Sequence, residues 1–149
     1  MHRQAPGVDA ESVRGLLQSV KPGDYFAITA YLHETRETEA ALQRIRLRVR
    51  DSMKVATTVG FGPRFLHSTG QLHKGGPDTG VFLQITAEPR ENVPIPGKPY
   101  GFGQVVAAQA AGDLAALRSR GRRALSVHLP QDVAAGLEAL QAAVAGALP

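Results

Sequence analysis

The chain contains no cysteine among its 149 residues. That absence excludes a disulfide framework, thiolate catalysis and cysteine-ligated zinc, and it suits a reducing compartment. No uncharged apolar stretch approaches the roughly 20 residues a bilayer-spanning helix needs. The N-terminal run MHRQAPGVDAESVR is polar, with no apolar run behind it. Neither secretion nor membrane insertion is expected, and the cytoplasm is the expected location. The fingerprints GxGxxG and GxxxxGK[ST] do not occur, which removes the warrant for a nicotinamide cofactor or a nucleoside triphosphate. No cofactor is expected. Internal repeats and low-complexity tracts are absent as well.

What the sequence has is a hydrophobic content of 43%, enough at this length to close one core, so residues 1–149 are read as a single domain. Lysine and arginine outnumber aspartate and glutamate by 17 to 13, a net charge of +4, which suits phosphorylated partners. Much of the excess lies in one run, Arg44, Arg46, Arg48 and Arg50, and a second cluster, Arg118, Arg120, Arg122 and Arg123. No aromatic residues interleave the first run and no nucleic-acid motif accompanies it, so it is read as a solvated helix face and no nucleic-acid partner is expected.

Helical spacing and strand-like runs alternate along the chain. Asp9 to Val20 reads as a helix stopped by Pro22 and Gly23, and Asp24 to Leu32 as a strand buried on both faces. Thr35 to Met53 places Leu42, Ile45, Val49 and Met53 on one helical stripe. Val55 to Val59 is a second strand, ended by the turn Gly60-Phe61-Gly62-Pro63, which opens a short helix. Gly75-Gly76-Pro77 stops that helix, and Gly80 to Thr86 is a third strand. Glu88 to Gly101, with four prolines, reads as an ordered excursion. Phe102 to Ala111 and Asp113 to Arg120 read as two helical pieces broken at Gly112. Ala124 to Leu129 is a fourth strand, and Asp132 to Leu148 a closing helix. Such alternation predicts a three-layer α/β/α sandwich, Rossmann-like, with a mainly parallel sheet of about four strands.

In an open parallel sheet, ligands lie beyond the carboxyl ends of the strands. That directs attention to His33 and Glu34 after the first strand and to the turn at Gly60 and Gly62 after the second. On the helix this turn opens, Arg64, His67, Gln71 and Lys74 share one stripe. A guanidinium fork, an imidazole, an amide and an ammonium on one edge suit a sugar phosphate. A solvated helix face presents the same pattern. Gly70 in mid-helix, with glycines flanking the element, indicates close backbone approach to a ligand or to a neighbouring strand. His67 and His73 lie on different azimuths and lack the HExxH context, so no metal is expected. His33 is read as a polar loop residue and His128 as a half-buried strand residue. Glu34 and Glu88 are the carboxylates expected at strand ends, solvated by default.

The run GFGPRFLHSTGQLHKGGPDTGVFLQIT, Gly60 to Thr86, resembles the C-terminal part of bacterial fusions joining a transaldolase to a glucose-6-phosphate isomerase. The similarity continues through PGDYFAITAYL, PIPGKPYGFG, AQAAGDLAALRSRGRRALSVHL and DVAAGLEAL, and so covers nearly the whole chain. The resemblance implies isomerase ancestry: interconversion of glucose 6-phosphate and fructose 6-phosphate through an enediolate, without a metal. It also implies that the phosphate-binding Ser/Thr loop and the proton-moving glutamate lie in an upstream core. The Phe-Asp-Gln-Pro stretch that the isomerases carry near their catalytic lysine is missing. No catalytic residue carries over, and the chain alone is expected to be inactive. What matches is the motif Gly60, Gly62, Pro63, Arg64, His67, Ser68, Thr69, Gly70, Gln71, His73, Lys74, Gly75 and Gly76. Three roles follow: an accessory domain of the isomerase, a free-standing phosphosugar-binding regulatory module, or a structural domain that contacts an upstream isomerase or transaldolase domain or a second copy of itself.

Overall fold

The computed structural model of the chain describes residues 7–62, 77–88 and 93–149. The elements below are those of the described residues.

Asp9 starts helix α1 (Ala10–Gln18): its carboxylate accepts from the Glu11 amide at 3.1 Å and the Ser12 hydroxyl at 2.6 Å. A side-chain oxygen here satisfies donors that the first helical turn leaves without an internal partner. Strand β1 (Tyr25–Tyr31) follows and is buried over nearly its whole length. Thr35 and Thr38 then form a reciprocal cap at the start of α2 (Arg36–Met53), which buries Ala41, Leu42, Ile45 and Val49. The helix ends at Lys54, whose left-handed backbone, φ 57°, turns the chain into β2 (Ala56–Phe61). Strand β3 (Gly80–Ala87), helix α3 (Phe102–Ser119), strand β4 (Arg123–Leu129) and helix α4 (Val133–Ala147) complete the order, with Asp132 capping α4.

The strands lie in the order β2-β1-β3-β4, and each pairing is parallel. Side-chain alternation sorts the sheet into two faces. Phe26, Ile28 and Ala30 of β1, Val81, Leu83 and Ile85 of β3, and Val127 and Leu129 of β4 join the main core with α1, α2 and α4. Helix α4 packs between α1 and α2, and Arg44 of α2 reaches Gln141 of α4 at 3.3 Å. On the opposite face Ala27 and Phe82 pack with Leu117 of α3, and Tyr31 with Ala110. Helices therefore cover both faces of a parallel sheet, the three-layer α/β/α, Rossmann-like sandwich that the alternating pattern predicts. Among the described residues no helix is long and apolar enough to cross a membrane.

Three expectations need correction. Gly112 does not break α3, which runs continuously from Phe102 to Ser119. Its neighbours Ala110, Ala111, Ala115 and Ala116 are strong helix formers, and one glycine costs only about 1 kcal/mol against alanine. The glycine turn also starts later than the spacing suggests, because Gly60 and Phe61 belong to β2, in register with Thr29 and Ala30. The third concerns Arg122 and Arg123, which are not a free basic cluster. Arg123 pairs with Asp24 at 2.8 Å and Arg122 with Asp78 at 3.2 Å, both where β1, β3 and β4 begin. The Arg123 guanidinium is the main reason the Asp24 carboxyl is held below its ordinary range, against the opposing effect of burial. Arg44, Arg48 and Arg50 are exposed, as expected of the solvent side of α2.

Gly80 shows how closely the second face is packed. A Cβ there would lie 2.7 Å from the Tyr25 ring and against Phe82. Those two rings meet edge to face with centroids 5.8 Å apart, over the glycine that leaves room for them.

Candidate functional site

The connection after β1 leads through α2 to β2 on one side, whereas the next strand, β3, pairs on the other side of β1. The crevice at the carboxyl ends of β1 and β3 is therefore the topological switch point, where an open α/β sheet takes its ligand. Tyr31 and Thr86 are register partners there, and Thr86 is in turn the partner of His128 on β4.

These residues point to the α3 side of the sheet, and toward the carboxyl ends that face is polar. Buried Gln84 donates to the Ala110 carbonyl of α3 at 2.8 Å and accepts from the Ser126 hydroxyl at 2.9 Å. Tyr31, also buried, donates its hydroxyl proton to Asp113 of α3. Burial first, and the bond to Asp113 second, push the Tyr31 phenol far above its ordinary range, so it remains a donor at any physiological pH. Two polar ties thus fix α3 over the crevice, in a layer whose hydrogen-bonding groups need protein partners because water is excluded.

At the rim a second chain of polar groups is open to solvent. The Thr86 hydroxyl lies 2.8 Å from His128 Nδ1, and the Glu88 carboxylate lies 3.4 Å from His128 Nε2. In the tautomer with the ring proton on Nε2, on the side of the Glu88 carboxylate, Nδ1 accepts from the Thr86 hydroxyl. The His128 and Glu88 side chains are 54% and 67% exposed. Glu88 is solvated as expected, whereas reading His128 as half-buried is corrected: strand alternation carries His128 to the polar face at its open end, opposite Thr86.

The predicted site residues fall into two groups. Gly60 lies within β2 beside Thr29, and Gly62 follows the strand with its amide donating to the Ala30 carbonyl at 2.7 Å. That donor extends the sheet and is not open to a phosphate. Arg64, His67, Gln71 and Lys74 lie outside the described residues, as do Pro63, Ser68, Thr69, Gly70, His73, Gly75 and Gly76. His33 is exposed, and its carbonyl accepts from Thr38. Among the described residues no group of three or more histidine, aspartate or glutamate side chains could hold a metal ion.

Sequence reasoning missed Tyr31, Thr86, Gln84, Ser126 and Asp113. A signal existed for Asp113, which shares the inward stripe of α3 with Ala110 and Leu117; an acid on an apolar stripe implies a buried partner.

The fold and this rim define a doubly wound parallel α/β domain with a polar switch point. A scan against protein-family models and a search of curated proteins each return no match. Among solved structures, the chain is similar to the hypothetical protein TT0462 from Thermus thermophilus, with 20% identity and a TM-score of 0.71. The match covers 90% of this chain and 38% of that one, so the chain spans well under half the length of the protein it resembles. At that identity the likeness concerns the fold.

Proposed function

We propose that the chain is the C-terminal accessory domain of a glucose-6-phosphate isomerase of the transaldolase-fusion type. It acts in the cytoplasm, supporting the interconversion of glucose 6-phosphate and fructose 6-phosphate and supplying part of the phosphosugar site. The observation that carries this reading is where the segment resembling that family attaches. It leaves the sheet at the carboxyl end of β2, one strand from the switch point, and returns through β3, whose far end carries Thr86 and Glu88. Arg64, His67, Gln71 and Lys74 belong to that connection, and their chemistry suits a phosphate and sugar hydroxyls.

The rim adds groups of matching chemistry. Thr86, His128 and Glu88 offer a hydroxyl, an imidazole and a carboxylate side by side, suited to holding sugar hydroxyls in place. The base that moves the proton between carbons belongs, on this reading, to the upstream core. A coupled assay with fructose 6-phosphate, run on the chain alone and on the chain joined to an upstream isomerase segment, tests it. Turnover only in the joined protein, reduced by Arg64→Ala, is the expected result. Turnover undiminished by Arg64→Ala in the joined protein contradicts it.

A further inference from the structure

We propose that Phe102 is a substrate-positioning residue of the rim, whose ring takes the apolar C–H face of the sugar that Thr86, His128 and Glu88 hold by its hydroxyls. The inference rests on the phosphosugar reading and adds to it the wall that faces the polar groups.

Helix α3 lies over β1, β3 and β4. Its Leu117 packs with Phe82, whereas the earlier Ala110 carbonyl accepts from Gln84, nearer the carboxyl end of β3. The helix therefore runs against the strands, and its first turn stands at their carboxyl ends. At about 1.5 Å per residue, Phe102 lies roughly 12 Å beyond Ala110. At about 3.3 Å per strand residue, Thr86 lies roughly 7 Å beyond Gln84 and Glu88 roughly 13 Å. Phe102 is thus level with Glu88, one step past the Thr86 and His128 pair.

Its direction follows from helical geometry. At about 100° per residue, Phe102 falls within about 40° of Val106 and about 20° of Asp113. Val106 packs with Tyr31, and Asp113 accepts from the Tyr31 hydroxyl. Phe102 therefore continues the inward stripe of α3 one turn past the sheet, on the side to which Thr86 and His128 point. On that stripe a phenylalanine is buried wherever strands lie beneath it. Here the strands have ended, and among the described residues Phe102 is the most exposed of the large hydrophobics, at 55%.

The backbone that carries the ring is nevertheless held. The Phe102 amide donates to the Val93 carbonyl at 2.9 Å, the Gly101 amide donates to the Gln104 side chain at 2.7 Å, and Pro94 pairs with Gly101. A group fixed before its ligand arrives costs little to order on binding. Ligand sites join apolar walls to a few placed polar groups, and Phe102 supplies the wall that the Thr86, His128 and Glu88 side chains lack. A sugar has hydroxyls for one side and C–H groups for the other, and inorganic phosphate has no apolar face, so Phe102 selects the sugar phosphate.

The chain contains no tryptophan, so Phe102→Trp places a single indole at this position. Its emission should change saturably with fructose 6-phosphate and stay constant with inorganic phosphate. Phe102→Ala should weaken binding of fructose 6-phosphate about 10-fold, with phosphate binding and the helical circular dichroism unchanged, and Phe102→Tyr should keep the full sugar affinity. Equal sugar affinity in the unsubstituted chain and Phe102→Ala, as expected if an upstream domain covers this ring, overturns the proposal and leaves the phosphosugar reading standing. An equal loss for sugar phosphate and phosphate also overturns it, because it marks a structural role. An unsubstituted chain that does not bind fructose 6-phosphate removes the phosphosugar reading and this proposal with it.

Discussion

Tyr31, at the carboxyl end of β1, hydrogen-bonds to Asp113 of α3, a residue 82 positions later in the sequence, and with Gln84 it ties α3 to the sheet at the switch point. Tyr31→Phe should leave the Asp113 carboxylate without this donor in a buried layer. The expected cost is about 1–3 kcal/mol of stability, read as a lower urea midpoint at unchanged slope. A midpoint equal to that of the unsubstituted chain would show that Asp113 is satisfied without Tyr31.

The same pair predicts a steep alkaline limit. The folded Tyr31 phenol is raised above its ordinary value of 10.0, by burial first and by Asp113 second. Between those two values the folded state binds more protons than the unfolded state, so stability falls as pH rises. The contribution is fully present below about pH 10 and is lost progressively above it. Urea titrations on either side of that pH should show a steeper loss for the unsubstituted chain than for Tyr31→Phe. Parallel slopes would contradict the assignment.

At the other end of the sheet the sign reverses. Asp24 is held below its ordinary value of 3.8, chiefly by the Arg123 guanidinium. Its contribution is present above that value and is lost as pH falls through the lower folded one. Arg123 also donates to the Ser19 carbonyl at the end of α1. Arg123→Gln should therefore cost about 1 kcal/mol at neutral pH and flatten the acid limb. It should also speed amide exchange in the last turn of α1, and unchanged exchange there would sink the structural role given to this arginine.

Gly15 sits on the exposed side of α1, with helical backbone and nothing within 4 Å of a Cβ placed there. Gly15→Ala should raise stability by about 0.5–1 kcal/mol. Gly80→Ala should do the opposite, by about 1–3 kcal/mol, because its Cβ would run into the Tyr25 and Phe82 rings. Thermal melts of the two variants give shifts of opposite sign if the packing around each glycine is as described.

Local order was legible in the sequence because it rests on neighbouring residues. Leu42, Ile45 and Val49 form the buried stripe of α2 that their spacing implies, and Tyr25–Tyr31 is the doubly buried strand its apolar run implies. What stayed hidden depends on sheet order. Nothing near Arg122 or Arg123 shows that Asp78 and Asp24 will stand opposite them, since those pairs exist only once β4 lies beside β3 and β3 beside β1. Thr86 and His128 meet for the same reason. Gly112 misled in another way: a glycine between alanines reads as a break when the helix is judged alone, but the tie from Asp113 to Tyr31 holds that turn in place.

On the proposed reading, a phosphosugar binds both the rim at the switch point and the Gly60–Lys74 segment. The most direct test is an amide NMR titration of the chain with fructose 6-phosphate, with inorganic phosphate in parallel. The account predicts saturable shifts from Gly60 through Lys74 and at Thr86, Glu88 and His128, with the sugar phosphate binding more tightly than phosphate alone. Shifts absent from both regions, or confined to the exposed arginines of α2 and equal for the two ligands, would contradict it.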